Sequence, residues 1–168
     1  ACICPVNVRR QLTPPAEDEI GLFVSSLRTT CTCSPETPFW ACAQTVHGNL
    51  RRARDRGDHL TGLPLQAALL PKRPDPAQFT ARAERMLAAA VGLTNLGRLR
   101  LPENRPGIRI RTVHFLASAA PLSGTGLLAA AATYDGILCV NFAHALPLLG
   151  RQQGKALVER AWNHLTTA

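Results

Sequence analysis

At 168 residues the chain is long enough to bury a core of its own, and its apolar residues, 46% of the total, nowhere form the run of roughly 18 that a membrane-spanning helix needs. The formal charge of +8 is almost wholly arginine, since Lys72 and Lys155 are the only lysines, so it suits an anionic cofactor, an acidic partner surface or nucleic acid. Nucleic acid is the weakest of these: Tyr134 is the only tyrosine, and no aromatic platform interleaves with the basic residues.

The opening ACICPVNVRR lacks the basic region, apolar stretch and cleavage site of a secretory leader, and it reads like the middle of a strand. That is the first hint of a chain that begins inside a larger fold. Ile3 to Val8 is a short strand candidate interrupted by Pro5, and a polar, proline-rich loop runs from Gln11 to Glu19. A second strand, Ile20 to Leu27, follows, with Gly21 set into it. An interior glycine weakens a strand unless a bend, a bulge or a close approach requires it.

The segment SPETPFW signals a helix start, with Thr37 as N-cap and Pro38 at the first helical position. Phe39, Cys42, Ala43, Val46, Leu50 and Ala53 keep helical spacing, and Arg51, Arg52, Arg54 and Arg56 precede a terminating Gly57. The arginine cluster reads as a solvated helix end in preference to an anion site. A loop from Leu63 to Pro76 leads to a second helix capped by Asp75, with Phe79, Ala83, Met86, Leu87 and Ala90 on its apolar face and Gly92 as its stop. Ile108 to Leu116, IRIRTVHFL, alternates as a half-buried strand whose inner face is Ile108, Ile110, Thr112 and His114. Asp135-Gly136 between two apolar runs predicts a hairpin of Leu127 to Tyr134 and Ile137 to Ala143. Leu157, Val158, Ala161, Trp162 and Leu165 mark a closing helix. The sum is an α+β fold, a mainly antiparallel sheet with packed helices.

The six cysteines form two C-x-C pairs, Cys2/Cys4 and Cys31/Cys33, plus Cys42 and Cys139. A zinc site built from the two pairs is conceivable, but zinc knuckles space their cysteines as C-x2–4-C, and Cys42 belongs to a helical apolar stripe. Without a secretory signal the reading is reduced thiols in the cytoplasm. None of the histidines, His47, His59, His114, His144 and His164, begins an H-x-x-x-D motif, no serine sits in G-x-S-x-G, and the GTG near Thr125 lacks the lysine of a phosphate loop. His114, on the expected inner face of its strand, is the foremost candidate for a base. No complete active site is present.

CPVNVRRQL followed by EIGLFVSSL resembles the segments that open the C-terminal lobe of CoA-dependent acyltransferases and nonribosomal-peptide condensation domains, the HxxxD superfamily, with patterns near P-V-[ND]-[LV]-R and I-G-x-F-V-N. TPFWACAQTVHGNLRRARDRGDHL, TNLGRL and TYDGILCVNFAHAL follow in the family's order, and alcohol O-acetyltransferases and polyketide-associated acyltransferases are the nearest in style. The resemblance covers nearly the whole chain. It implies a chloramphenicol-acetyltransferase-like lobe, residues 1–168, that corresponds to the C-terminal half of a two-lobed enzyme.

In that family the catalytic histidine lies in an HHxxxD segment of the N-terminal lobe, which is absent from this chain. The resemblance therefore implies no catalytic residue here, and a partner in the form of an N-terminal acyltransferase lobe or a companion chain. It also implies acyl-CoA or acyl-phosphopantetheine as substrate, with no permanently bound cofactor and no metal, and the arginine excess could meet pantetheine phosphates or an acidic acyl carrier protein. Thr94 and Asn95 match polar positions facing the substrate channel, where they could stabilise an oxyanion. Phe23 and Ser25 border that channel. Ser25 stands where condensation domains have Asn, which favours O-acyl transfer over peptide-bond formation. Arg9 matches a family arginine that is either a structural donor or a substrate contact, and Gly21 either lets the backbone approach the opposing lobe or accommodates a bulge. The expected function is acyl transfer from a CoA or carrier-protein thioester to an alcohol or amine. The alternative is a noncatalytic, condensation-like module that binds an acyl carrier or partner protein.

Overall fold

The computed structural model describes residues 1–16, 19–34, 36–61, 75–78, 81, 90–101, 107–117, 125–146 and 148–167. The chain divides into two compact units, Ala1–Ala83 and Glu84–Ala168. The class is α+β in both.

In the first unit, β1 (Cys2–Asn7) pairs antiparallel with β2 (Val24–Thr29), with Cys4 opposite Leu27 and Val6 opposite Ser25. Leu27 and Thr29 are buried two positions apart, the period of a strand with one covered face. A 3-10 turn, Arg9–Gln11, leaves β1. The second strand is shorter than its apolar run suggested: Ile20 and Leu22 are exposed, and Gly21 lies in a bend before β2. The glycine is needed there, because a Cβ would stand 2.7 Å from the Phe23 ring.

Helix α1 (Phe39–Asp55) forms where its periodicity placed it. Its cap differs by one residue. Pro38 is the N-cap, and the Thr37 hydroxyl turns back to accept from the Ser34 backbone N–H at 3.2 Å. Gly57, at φ +77°, closes the end with its N–H on the Arg54 carbonyl, a left-handed position that favours glycine. The thiols are not all reduced as expected. Cys33 and Cys42 are bonded, since Cys42 stands in the first turn of α1, within reach of the segment before it.

The apolar face expected for the second helix lies largely outside the described residues, but its start is visible. The Gln78 N–H donates to Asp75 Oδ2 at 3.3 Å, the N-cap bond foreseen, and residues 76–78 are helical. Gly92 is not a helix stop. It lies within β3 (Val91–Arg98) of the second unit, which pairs parallel with β4 (Leu127–Tyr134).

β4 turns back antiparallel into β5 (Ile137–His144) through Asp135 and Gly136, both at positive φ, +49° and +78°. Two such residues make the mirror-image turn whose twist matches a hairpin. The expected strand from Ile108 to Leu116 is absent: residues 108–117 have no regular structure. The phase is reversed as well, with Ile108, Ile110, Thr112 and His114 exposed and Val113, Phe115 and Ala117 half-buried. Alternation supplies two faces, but a strand also needs a ladder. This segment is held instead by side chains, Arg109 to Asp135 at 3.6 Å and His114 Nδ1 to Asn141 Oδ1 at 3.2 Å.

Helix α2 (Arg151–Thr167) follows β5. Its Gly154 is buried against the His144 ring, where a Cβ would meet ring atoms at 2.7 to 2.9 Å. Alanine normally stabilises a helix interior over glycine by about 1 kcal/mol. Here Gly154→Ala is expected to lower the melting temperature, and His144→Ala in the same chain to recover it. A rise in melting temperature for the single variant would show that the ring moves aside at no cost. Trp162, 51% exposed, and Leu157 and Leu165 leave the apolar stripe of α2 largely uncovered.

Candidate functional site

Arg9 leaves the 3-10 turn and spends its guanidinium on the chain itself. Nη1 donates to the Ala16 carbonyl at 3.0 Å and to the Glu19 carbonyl, and Nη2 donates to the Gly21 carbonyl at 3.1 Å. The same group lies over the Phe23 ring, 4.5 Å from its centroid. Arg9 and Phe23 are thus brought together, and with Gly21 beneath the ring they form one clamp across the loop that joins β1 to β2. Of the two roles open for Arg9, the geometry is that of a structural donor.

Ser25 on β2 donates its hydroxyl to the His59 carbonyl at 2.5 Å, fixing the strand to the chain beyond α1. His59 is 3% exposed, its Nε2 stands 2.8 Å from Gln11 Oε1, and its buried Nδ1 has no partner among the described residues. His59 begins no H-x-x-x-D motif, and burial of a polar residue beyond a helix C-terminus has no local signature. His114, ranked first from sequence, is exposed and bonds Asn141.

Thr94 and Asn95 occupy adjacent positions of β3, opposite Ala130 and Ala131. Successive strand residues point to opposite faces, and Thr94 is half-buried while Asn95 is exposed. The register shifts just after them, between Asn95 and Arg98. Asn95 Oδ1 accepts the Gly97 N–H at 2.8 Å, and Gly97 adopts φ +71°. Such a bulge re-aims side chains next to it. The acceptor half of Asn95 is committed to the turn, and the donor half of the amide is not part of that bond.

A groove of about 470 Å³ opens in the first unit, lined by Cys4, Val6, Leu27, His47, Leu50, Arg51, Arg54 and Asp55. One wall is the strand pair and the other is α1. His47, Leu50, Arg51 and Arg54 fall at i, i+3, i+4 and i+7, one helix face. The spacing is legible in the sequence, which places Arg51 and Arg54 on this face and Arg52 off it. Arg51 faces Asp55 at 4.0 Å, whereas Arg56 is engaged outside the groove, forked onto Asp58 at 2.6 and 3.3 Å. The groove therefore presents positive charge above an apolar floor.

Cys4 shares a strand face with Cys2, the two sulfurs 3.8 Å apart. Either sulfur can donate in this contact; with the shared proton on Cys4, the hydrogen bond lowers Cys2 from 9.0 to about 7 although burial opposes it. Cys4 is pushed far up, because its proton is held by that bond and burial adds to the effect. The first thiolate of the pair forms as pH rises through about 7 and is lost below it. Native alkylation followed by peptide mass spectrometry is expected to show Cys2 reacting with a midpoint near 7, and Cys4→Ala moving that midpoint toward 9.0. A Cys2 midpoint unmoved by Cys4→Ala would remove the hydrogen bond as its cause.

A family profile described as phthiocerol/phthiodiolone dimycocerosyl transferase C-terminus matches residues 1–148. No curated protein and no solved structure matches the chain. No helix among the described residues is long and apolar enough to cross a membrane.

Proposed function

The chain belongs to the family of phthiocerol/phthiodiolone dimycocerosyl transferase C-termini, which is condensation- and acyltransferase-like, and from that premise we propose that it is the C-terminal lobe of an enzyme transferring an acyl group from a CoA or carrier-protein thioester to an alcohol or amine. The observation that carries this reading is the family match over residues 1–148. The base is a histidine of an HxxxD segment on another lobe or companion chain. It takes the proton of the acceptor hydroxyl or amine as that group attacks the thioester carbonyl, and returns the proton to the departing thiolate. Thr94 or the Asn95 amide donates to the oxyanion that forms between the two steps. Within the first unit, and independently of where Thr94 and Asn95 lie, His47, Arg51 and Arg54 line a groove suited to an anionic group such as the donor's phosphates, over a floor of Cys4, Val6 and Leu27.

The test begins with native mass spectrometry of the purified protein to find a companion carrying HHxxxD, followed by thioester turnover by the pair. Activity of the pair and of neither part alone supports the reading. Replacing Arg51 and Arg54 with alanine is expected to raise KM for acyl-CoA about tenfold, the summed worth of two exposed, solvent-screened charge-assisted contacts, while leaving KM for an acyl-pantetheine without phosphates unchanged. A folded chain that travels alone, or a pair that turns over no thioester, would pass the protein to the noncatalytic, carrier-binding reading.

A further inference from the structure

The sulfurs of Cys31, Cys33 and Cys42 lie within 4.8 Å of one another. Cys31 Sγ is 3.4 Å from Cys33 Sγ and 3.3 Å from Cys42 Sγ, and the latter two are bonded. A disulfide requires two sulfurs, and here a third stands against both. We propose that the reduced trio is a three-thiolate site for a soft divalent cation of the zinc class, and that the Cys33–Cys42 disulfide is its oxidised, metal-free state.

Thiolates select zinc and other soft ions over magnesium or calcium. With Zn–S bonds of about 2.3 Å, the edge of a thiolate tetrahedron is about 3.8 Å, so the two Cys31 contacts need open by only about 0.4–0.5 Å around an ion, and the Cys33–Cys42 edge opens once its bond is reduced. The objection that C-x-C is a poor zinc spacing holds for a strand, but β2 ends at Thr29 and residues 30–34 have no regular structure. Both thiols of the pair can therefore turn toward Cys42, which approaches from α1. Three thiolates and a divalent ion carry one net negative charge. Cys42 stands in the first turn of α1, which holds no acidic residue and where the helix dipole is positive. Cys33 is exposed and the other two half-buried, which leaves a fourth position open to water or an exchangeable ligand. Cys2 and Cys4 form a separate pair on β1 and take no part.

The two states interconvert with balanced chemistry. A dithiol reductant supplies two electrons and two protons to break the S–S bond and itself becomes a disulfide. The cation then displaces the three thiol protons to solvent as three metal–sulfur bonds form.

The full chain, reduced with a small dithiol and desalted without air, is titrated with Zn²⁺ against a chromogenic chelator, and with Co²⁺ to read thiolate charge-transfer absorption. One ion per chain is expected, with affinity at least about tenfold weaker in Cys31→Ser and unchanged in Cys2→Ser. Alkylation of the unmutated protein with and without Zn²⁺ supplies a reading independent of any variant's folding: protection is expected at Cys31, Cys33 and Cys42 and not at Cys2 or Cys4. No uptake by the reduced chain, equal affinity in a folded Cys31→Ser, or protection at Cys2 and Cys4 alone would each overturn the proposal.

Discussion

Ala132→Leu is expected to destabilise the second unit by about 3 kcal/mol, at the upper end of what overpacking costs. Ala130 and Ala132 are each 1% exposed and share one face of β4, while Ala131 on the opposite face is 8% exposed, so the strand is covered on both sides. Across the ladder, Ala132 faces Cys139, itself buried, and Ala130 faces Asn141. At 1% exposure the larger side chain has no space to enter without displacing its neighbours, β5 with its buried Cys139 among them. Denaturant melts check the figure, with exposed Leu138→Phe as the control, expected within about 0.5 kcal/mol of the parent. An Ala132→Leu chain as stable as the control would mean that the surroundings of Ala132 are loosely packed.

Arg9→Ala is expected to cost about 2 kcal/mol, since it removes charge-assisted bonds to three carbonyls and the contact with Phe23, partly replaced by water at the exposed Glu19 and Gly21 carbonyls. Arg9→Lys should recover less than half. An ammonium offers a point charge where the loop uses a planar fork and an aromatic face. Comparing melts with thioester turnover by the proposed pair separates the two roles. Loss of stability with KM and kcat unchanged in the folded fraction fits the clamp, whereas an Arg9→Ala chain that melts like the parent and fails in turnover would make Arg9 a substrate contact.

The parts of the fold that were legible from sequence are those fixed by neighbours in the chain. The hairpin needed only Asp135-Gly136 between apolar runs, α1 its spacing and Gly57, and the Asp75 cap a proline at the next position. Where the outcome rests on partners distant in sequence, reading failed. The segment 91–98 contains two glycines and looks broken, yet it is a strand because β4 offers it a parallel edge. Ile108 to Leu116 alternates well and is no strand, because it joins no ladder among the described residues. For the candidate site the residue types were legible and their commitments were not: Ser25 bonds a carbonyl 34 positions away, and the Arg9 fork closes on three carbonyls whose directions no pattern encodes. Cys42 was assigned to a helical stripe on spacing alone, which carries no information about the thiols of the preceding segment.

The parallel pairing of β3 with β4 bears on the order of folding. The β4–β5 hairpin has a two-residue turn and can form in about 1–10 μs. A parallel edge, by contrast, is reached only after a crossover, here residues 99–126, has closed, at an entropic cost met before any pairing contact offsets it. The strand bearing Thr94 and Asn95 is therefore expected to dock onto a template that the hairpin has already built. A lesion in the Asp135-Gly136 turn would be felt first as slow arrival of β3, far along the chain from the residue changed.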